Sequence, residues 1–185
     1  MDEFDDYAYI LDILPQGRLE EKIYKRVPLA LAIGEKNLKL LELVPKQGAV
    51  LTIGDRVYIG KDKNKRDKIE SVRGRINYNQ LTPGAQNELE YVLRMIVENN
   101  QERFINFFNT AGPITNRLHQ LDLLYGVGKN IMWEILDERK KGPFKDFQDL
   151  KSRVKGLRDP EKMIVERILR ELKNKDEKYK IFVAR

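Results

Sequence analysis

The chain has 185 residues, 41% of them hydrophobic and 35% charged, with a formal net charge of +6 and a sequence pI of about 9.3. That is room for one domain or two small ones, with a core and an unusually charged surface. There is no cysteine and a single histidine, His119. Disulfides, thiolate metal sites and iron–sulfur clusters are thereby excluded, and no metal or cofactor is expected. The positive balance suits a polyanionic partner without defining one, and a charge-rich surface also suits growth in the heat. No apolar run is long enough for a membrane span. The start, Met1-Asp2-Glu3-Phe4-Asp5-Asp6, lacks the basic opening of a signal peptide. A soluble cytoplasmic protein with no membrane partner is expected.

Residues 1 to about 78 read as β. Tyr7 to Leu14 is aromatic and branched and stops at Pro15-Gln16-Gly17-Arg18, a turn. Pro28–Ile33, Leu38–Val44, Arg56–Gly60 and Ile69–Ile76 follow as short apolar runs between turn signals. Leu19 to Tyr24 has room for one helical turn. Five short strands predict a small all-β barrel or sandwich.

The last two strands carry candidate binding residues. Side chains alternate along a strand. Arg56 and Tyr58 are expected on one face with Val57 and Ile59 behind, and Arg73 and Arg75 on one face with Val72 and Ile76 behind. Between these strands runs a basic loop, Lys61 to Lys68, with Lys63, Lys65 and Arg66. Arginine and tyrosine beside a basic loop suit single-stranded nucleic acid: bases stack on aromatic faces and cations follow the backbone. An ordinary solvated face with a polar hairpin loop fits the same residues. The stretch Gly54-Asp55-Arg56-Val57-Tyr58-Ile59-Gly60 resembles a strand of OB-fold and ribosomal-S1-like barrels. That resemblance implies an RNA-binding barrel.

From Thr82 the period changes to helical. Thr82 caps and Pro83 opens a helix with a stripe of Leu89, Val92, Leu93 and Ile96. Asn99-Asn100 breaks it. Gln101 to Asn109 places Phe104, Ile105, Phe107 and Phe108 in the core, and Ala111-Gly112-Pro113 ends the segment.

The C-terminal region centres on Leu118 to Leu136. Thr115 is expected to cap a helix running to Tyr125, and a second helix leaves directly after Gly126-Val127-Gly128. Gly126 and Gly128 are both expected at positive φ, giving a hairpin of a few residues. Its N–H groups, those of Lys129 and Asn130 included, then meet the open start of the second helix, an anion site. Lys129 adds a full charge. A tight connection between two packed helices explains the same pattern. A degenerate repeat follows. Phe147, Leu150 and Val154 mark a short helix, Lys155-Gly156-Leu157-Arg158-Asp159 a second turn, and Asp159-Pro160 the start of a long helix with Ile164, Val165, Ile168, Leu169 and Leu172. The second turn lacks a second glycine, and Asp159 and Glu161 place negative charge at the helix start. It is expected to be structural, with Lys151, Arg153, Lys155 and Arg158 at its rim. Lys173 to Lys180 is charged, and Ile181-Phe182-Val183 is predicted to add to a sheet edge.

The Gly126 turn resembles the first motif of the helix-hairpin-helix family, in which a Gly-hydrophobic-Gly hairpin grips a nucleic-acid phosphate. The two turns together resemble the tandem helix-hairpin-helix domain of Holliday-junction-binding RuvA proteins. The whole layout, with Phe107-Phe108-Asn109-Thr110-Ala111 and Arg117-Leu118-His119-Gln120-Leu121, resembles an archaeal domain family of unknown function with an OB-like front and a helix-hairpin-helix rear. The fold expected is α+β: a barrel domain over 1–80, connecting helices over 81–112, and a tandem hairpin domain with a tail over 113–185.

The function expected is non-catalytic nucleic-acid binding, RNA ahead of DNA, through the hairpin residues Gly126, Val127, Gly128, Lys129 and Asn130 and the barrel face. The partner is a free nucleic acid or a ribonucleoprotein or transcription assembly. Two other classes fit less of the sequence. One is a protein-interaction scaffold. The other is a DNA-repair glycosylase or lyase with Lys129 attacking the sugar, for which no partner aspartate motif is found.

Overall fold

The computed structural model describes residues 4–185. Its strands are β1 (Tyr7–Leu14), β2 (Leu29–Gly34), β3 (Leu40–Pro45), β4 (Arg56–Tyr58) and β5 (Ile69–Arg75). Its α-helices are α1 (Pro83–Asn99), α2 (Gln101–Thr110), α3 (Lys129–Lys140), α4 (Phe147–Arg153) and α5 (Pro160–Lys173). The fold is mixed α+β. Two compact units divide it: residues up to Val92 with Glu171–Arg185, and Leu93–Arg170. The division falls inside α1 and inside α5.

In the first unit the sheet is antiparallel, in the order β4-β1-β2-β3-β5. Alternation puts Ala8, Ile10, Ala30, Ala32, Leu41 and Leu43 on one face. Val57 of one edge strand and Ile69 of the other join the same cluster. The sheet is therefore curled into a half-barrel. Arg66 staples the edges: its guanidinium donates to the carbonyls of Gly60 at 2.8 Å, Ile59 at 3.3 Å and Glu70 at 3.0 Å. The opposite face carries Tyr9, Leu11, Leu31 and Ile33, also buried. Every residue of β2 is buried, so β2 reads as a continuous apolar run, as strands covered on both faces do. Each such leucine or isoleucine contributes about 1.5–3 kcal/mol.

The β2–β3 turn is locked by Asp5, whose carboxylate accepts the N–H groups of Lys36 at 2.6 Å and Asn37 at 3.1 Å. Gly34 must be glycine here, since a Cβ would meet that carboxylate at 2.1 Å. Leu38 stands at φ 57 and is fully buried. The acidic start of the chain thus does structural work that its composition does not announce. The turn expected over 19–24 is a 3-10 turn at Ile23–Lys25.

The cap at Thr82 is in place, with Thr82 Oγ1 accepting Ala85 N–H at 3.1 Å. Thr82 also donates to Asp12, tying the start of α1 to β1. The tail does not add to the sheet as predicted. Residues 181–183 form no strand; the buried Glu171 carboxylate holds them by accepting the N–H groups of Ile181, Phe182 and Val183 at 3.1, 3.1 and 3.0 Å. A side chain supplies what a ladder would have supplied.

In the second unit Phe104, Ile105 and Phe108 are buried as expected, while Phe107 is only half-buried and meets Phe108 edge-on at 5.6 Å. Arg139 of α3 donates to the carbonyls of Phe108 and Ala111 at 3.2 and 2.8 Å, closing the end of α2. Asp146 caps α4 and Asp159 caps α5, accepting the N–H groups of Asp149 at 2.7 Å and Lys162 at 3.1 Å.

Candidate nucleic-acid interface

The Gly126 hairpin is entered differently from the expectation. No helix runs from Thr115 to Tyr125. Thr115 Oγ1 accepts the N–H groups of Arg117 and Leu118 in a local turn, a competition with helix that serine and threonine often win. A single 3-10 turn, Gln120–Leu123, stands in its place. It is held by a reciprocal cap: His119 Nδ1 accepts Leu121 N–H at 3.0 Å, and Asp122 accepts His119 N–H at 2.8 Å. Burial pushes the His119 imidazole below its ordinary value of 6.5, and the Arg139 charge adds to this.

At the apex Val127 is buried while Gly126, Gly128, Lys129 and Asn130 are exposed. Val127 N–H donates to Leu124 carbonyl at 3.1 Å. Gly126 has the expected positive φ, 95°. Gly128 does not: at φ −80° and ψ 176° it is an ordinary extended N-cap, and a Cβ there would meet nothing. One left-handed residue suffices to reverse the chain, because the extended Gly128 already points into α3. With glycine as N-cap no N-cap side chain closes the first turn of α3, whose first N–H groups have no intrahelical acceptor.

Lys129 is not a free charge. Its ammonium lies 2.9 Å from Asp122. Burial opposes the Asp122 charge, but the bonds from Lys129 and His119 N–H outweigh it and hold the carboxyl below its usual value. Two large aromatics that the sequence reading passed over flank the apex. Tyr125 is 85% exposed and Trp133, one turn into α3, is 59% exposed. Trp133 sits four residues after Lys129, the spacing of one helix face, and that spacing was the available signal.

The second hairpin repeats the first. Leu157 N–H donates to Val154 carbonyl at 3.1 Å, and Leu157 is buried as Val127 is. It is closed where the first is open. Glu134 of α3 accepts Lys155 N–H at 3.2 Å, and Asp159 caps α5 while pairing with Arg94 at 3.4 Å. Gly156 packs against α3, with a virtual Cβ 3.3 Å from Ile131.

The barrel residues do not form one platform. β4 and β5 are opposite edges of the sheet, so Arg56 and Tyr58 stand on one edge strand and Arg73 and Arg75 on the other. A bulge in β5 leaves Arg73 out of register, so the alternation from Arg73 to Arg75 is broken. The cations are also engaged. Arg56 pairs with Glu35 at 2.6 Å and covers the Tyr7 ring at 3.6 Å. Its hydrogen bond holds Glu35 below the ordinary value against the effect of burial. Tyr58 meets Tyr7 edge-on at 5.4 Å, and its hydroxyl accepts Asp62 N–H at 3.3 Å. Arg73 pairs with Glu21 at 2.7 Å. Arg75 donates to Ala184 carbonyl at 3.0 Å. Lys63 and Lys65 are exposed in a 3-10 turn whose cap is Asp62.

Among the described residues no helix is long and apolar enough to cross a membrane. The architecture is that of an α+β protein with a curled five-stranded antiparallel sheet and five α-helices. The chain belongs to the family described as "Protein of unknown function (DUF655)", whose profile matches residues 4–184. It is 42% identical over 182 residues to "Uncharacterized protein MJ0038" of Methanocaldococcus jannaschii, covering 98% of this chain and 81% of that one. It is also similar to the crystal structure of Af1531 from Archaeoglobus fulgidus. There the identity is 47% and the TM-score 0.87, over 97% of this chain and 100% of that one. Both relatives are archaeal.

Proposed function

We propose that this protein is a non-catalytic nucleic-acid-binding protein that holds a backbone phosphate at the Gly126 hairpin, with RNA preferred over DNA. In this reading the hairpin is a helix-hairpin-helix element and the half-barrel an OB-like partner module. One observation carries the reading, the contrast between the two hairpins. Both bury the apolar residue that follows the glycine, Val127 and Leu157, and both make the same type of N–H to carbonyl bond. The second is closed by Glu134 and Asp159, whereas the first ends in an exposed, uncapped helix start. A purely structural repeat has no reason to leave one copy open. Unpaired N–H groups and the positive helix end attract an anion, and exposed Tyr125 and Trp133 offer rings on which bases stack. Lys63 and Lys65 add backbone contacts from the half-barrel.

Fluorescence anisotropy with matched RNA and DNA oligomers across a salt series tests this. Lys129→Ala should weaken all sequences alike, since a phosphate contact carries no sequence information, and lower the single-strand salt slope by about 0.7. RNA should bind more tightly than DNA of the same sequence. Equal binding by wild type and variant at every salt concentration would favour a protein-interaction scaffold. Borohydride trapping of a covalent DNA adduct at Lys129 would make the protein a lyase.

A further inference from the structure

The first unit holds a cleft of about 390 Å³ lined by Arg75, Lys173, Lys175, Lys180, Arg185 and Tyr78. Its size falls within the ~300–1,000 Å³ of small-molecule sites. Some cations elsewhere pair with carboxylates: Arg18 with Glu42, Arg56 with Glu35, Arg73 with Glu21, Lys129 with Asp122. The cleft instead gathers five cations around one concavity, and among the described residues no ion pair joins them to a carboxylate. Arg75 donates to Ala184 carbonyl at 3.0 Å and Arg185 to Lys178 carbonyl at 3.1 Å, contacts that aim the guanidinium groups and leave their charge uncancelled. Lys173 lies 5.5 Å from the Tyr78 ring centroid. Glu171, whose carboxylate also lies in the lining, accepts three tail N–H groups. Like charges gathered around one concavity repel one another, and the arrangement is favourable when an anion enters.

We infer that this cleft binds a nucleotide, its phosphate held by Arg75, Lys175, Lys180 and Arg185 and its base against Tyr78. Guanidinium groups match phosphate oxygens in pairs, and a tyrosine ring gives any base a stacking surface. Glu171 is a positioning residue. By fixing residues 181–183 it sets the strap that carries Lys180 and Arg185 at the rim. The cleft and the Gly126 hairpin share no residue, and neither reading needs the other.

The test is NMR titration of the isotope-labelled full-length protein with AMP, with inorganic phosphate and with a short oligouridylate, joined to affinities for charge-reversed variants. Amide signals of Asn77, Tyr78, Asn79 and Lys173 should move. Lys175→Glu with Lys180→Glu should weaken binding at least ~10-fold and lower the oligouridylate salt slope by about 1.4, two single-strand contacts. Lys22→Glu with Lys25→Glu, the same charge change on an exposed turn, should leave affinity within about twofold. Tyr78→Ala should weaken AMP and oligouridylate more than inorganic phosphate. Saturation by AMP identifies a free nucleotide as the source, and saturation by oligouridylate alone a nucleotide within a strand. Shifts confined to residues 126–130 would overturn the cleft assignment and keep the hairpin reading, while shifts confined to the cleft would do the reverse. Equal weakening by both charge reversals would reduce the cleft to nonspecific charge and overturn it.

Discussion

Gly126 and Gly128 look equivalent in a Gly-x-Gly turn, yet their backbones ask for different things. Gly126 needs its φ of 95°, and a Cβ there would stand 3.2 Å from the Met163 methyl. Gly126→Ala should cost about 1–2 kcal/mol, the penalty of a left-handed residue with a Cβ, read by chemical denaturation. Gly128 has neither constraint. Gly128→Ser should fold as well as wild type, because serine is a good N-cap. On the proposed function it should also weaken nucleic-acid binding, because its hydroxyl takes an N–H group that the proposal assigns to phosphate. A serine variant that binds as wild type does would show that the first turn of α3 is not the contact. Asp122 offers the converse test. Asp122→Asn keeps an acceptor for His119 N–H and releases Lys129 from its 2.9 Å ion pair. Affinity for a polyanion should rise several-fold, with a stronger salt dependence.

Among the elements, the 3-10 turn Gln120–Leu123 hangs on a titratable cap. His119 Nδ1 accepts Leu121 N–H, so the fold requires the neutral ring. Its folded value lies below the ordinary 6.5, and between the two the unfolded chain binds more protons. Stability is therefore fully present above about pH 6.5 and falls as pH drops through the folded value. The carboxylates held below their ordinary values, Asp122 and Glu35 among them, lose their contributions only below the usual carboxylate range. Thermal melts from pH 7.5 to 5 should show the loss, and His119→Asn, an untitratable cap, should flatten it. The tail is a second such element. Glu171→Ala should leave three N–H groups without their acceptor, each worth about 1–3 kcal/mol where it stays buried. Hydrogen exchange at residues 181–183 should then rise first.

For the whole molecule, the hairpin and the cleft lie in separate compact units. Independent sites add. Lys129→Ala combined with Lys175→Glu and Lys180→Glu should weaken a long single strand by the product of the separate factors. Strong non-additivity would mean that the two sites are not energetically independent.

Much was legible before any coordinates. Strand and helix positions followed from apolar period, because alternation and 3.6-residue spacing each bury one face. The caps at Thr82 and Asp159 followed because a short polar side chain beside a proline satisfies the first turn on local chemistry alone. The left-handed Gly126 and the Asp159 cap of the second turn were equally local, whereas Glu134 closes that turn from α3. What sequence could not settle was which residues, distant along the chain, come to share a space. β4 and β5 follow one another in sequence, with only a loop between, but the order β4-β1-β2-β3-β5 sets them on opposite edges, and their arginines are engaged by Glu35, Glu21 and Ala184. Lys129 is seven residues from Asp122, and only the turn's geometry brings them to 2.9 Å. The cleft joins Arg75 to Lys180 and Arg185 because Glu171 seats the tail. Local periodicity determined the elements of this protein; pairing order and long-range contact, which have no periodic trace in the chain, decided where its charges meet.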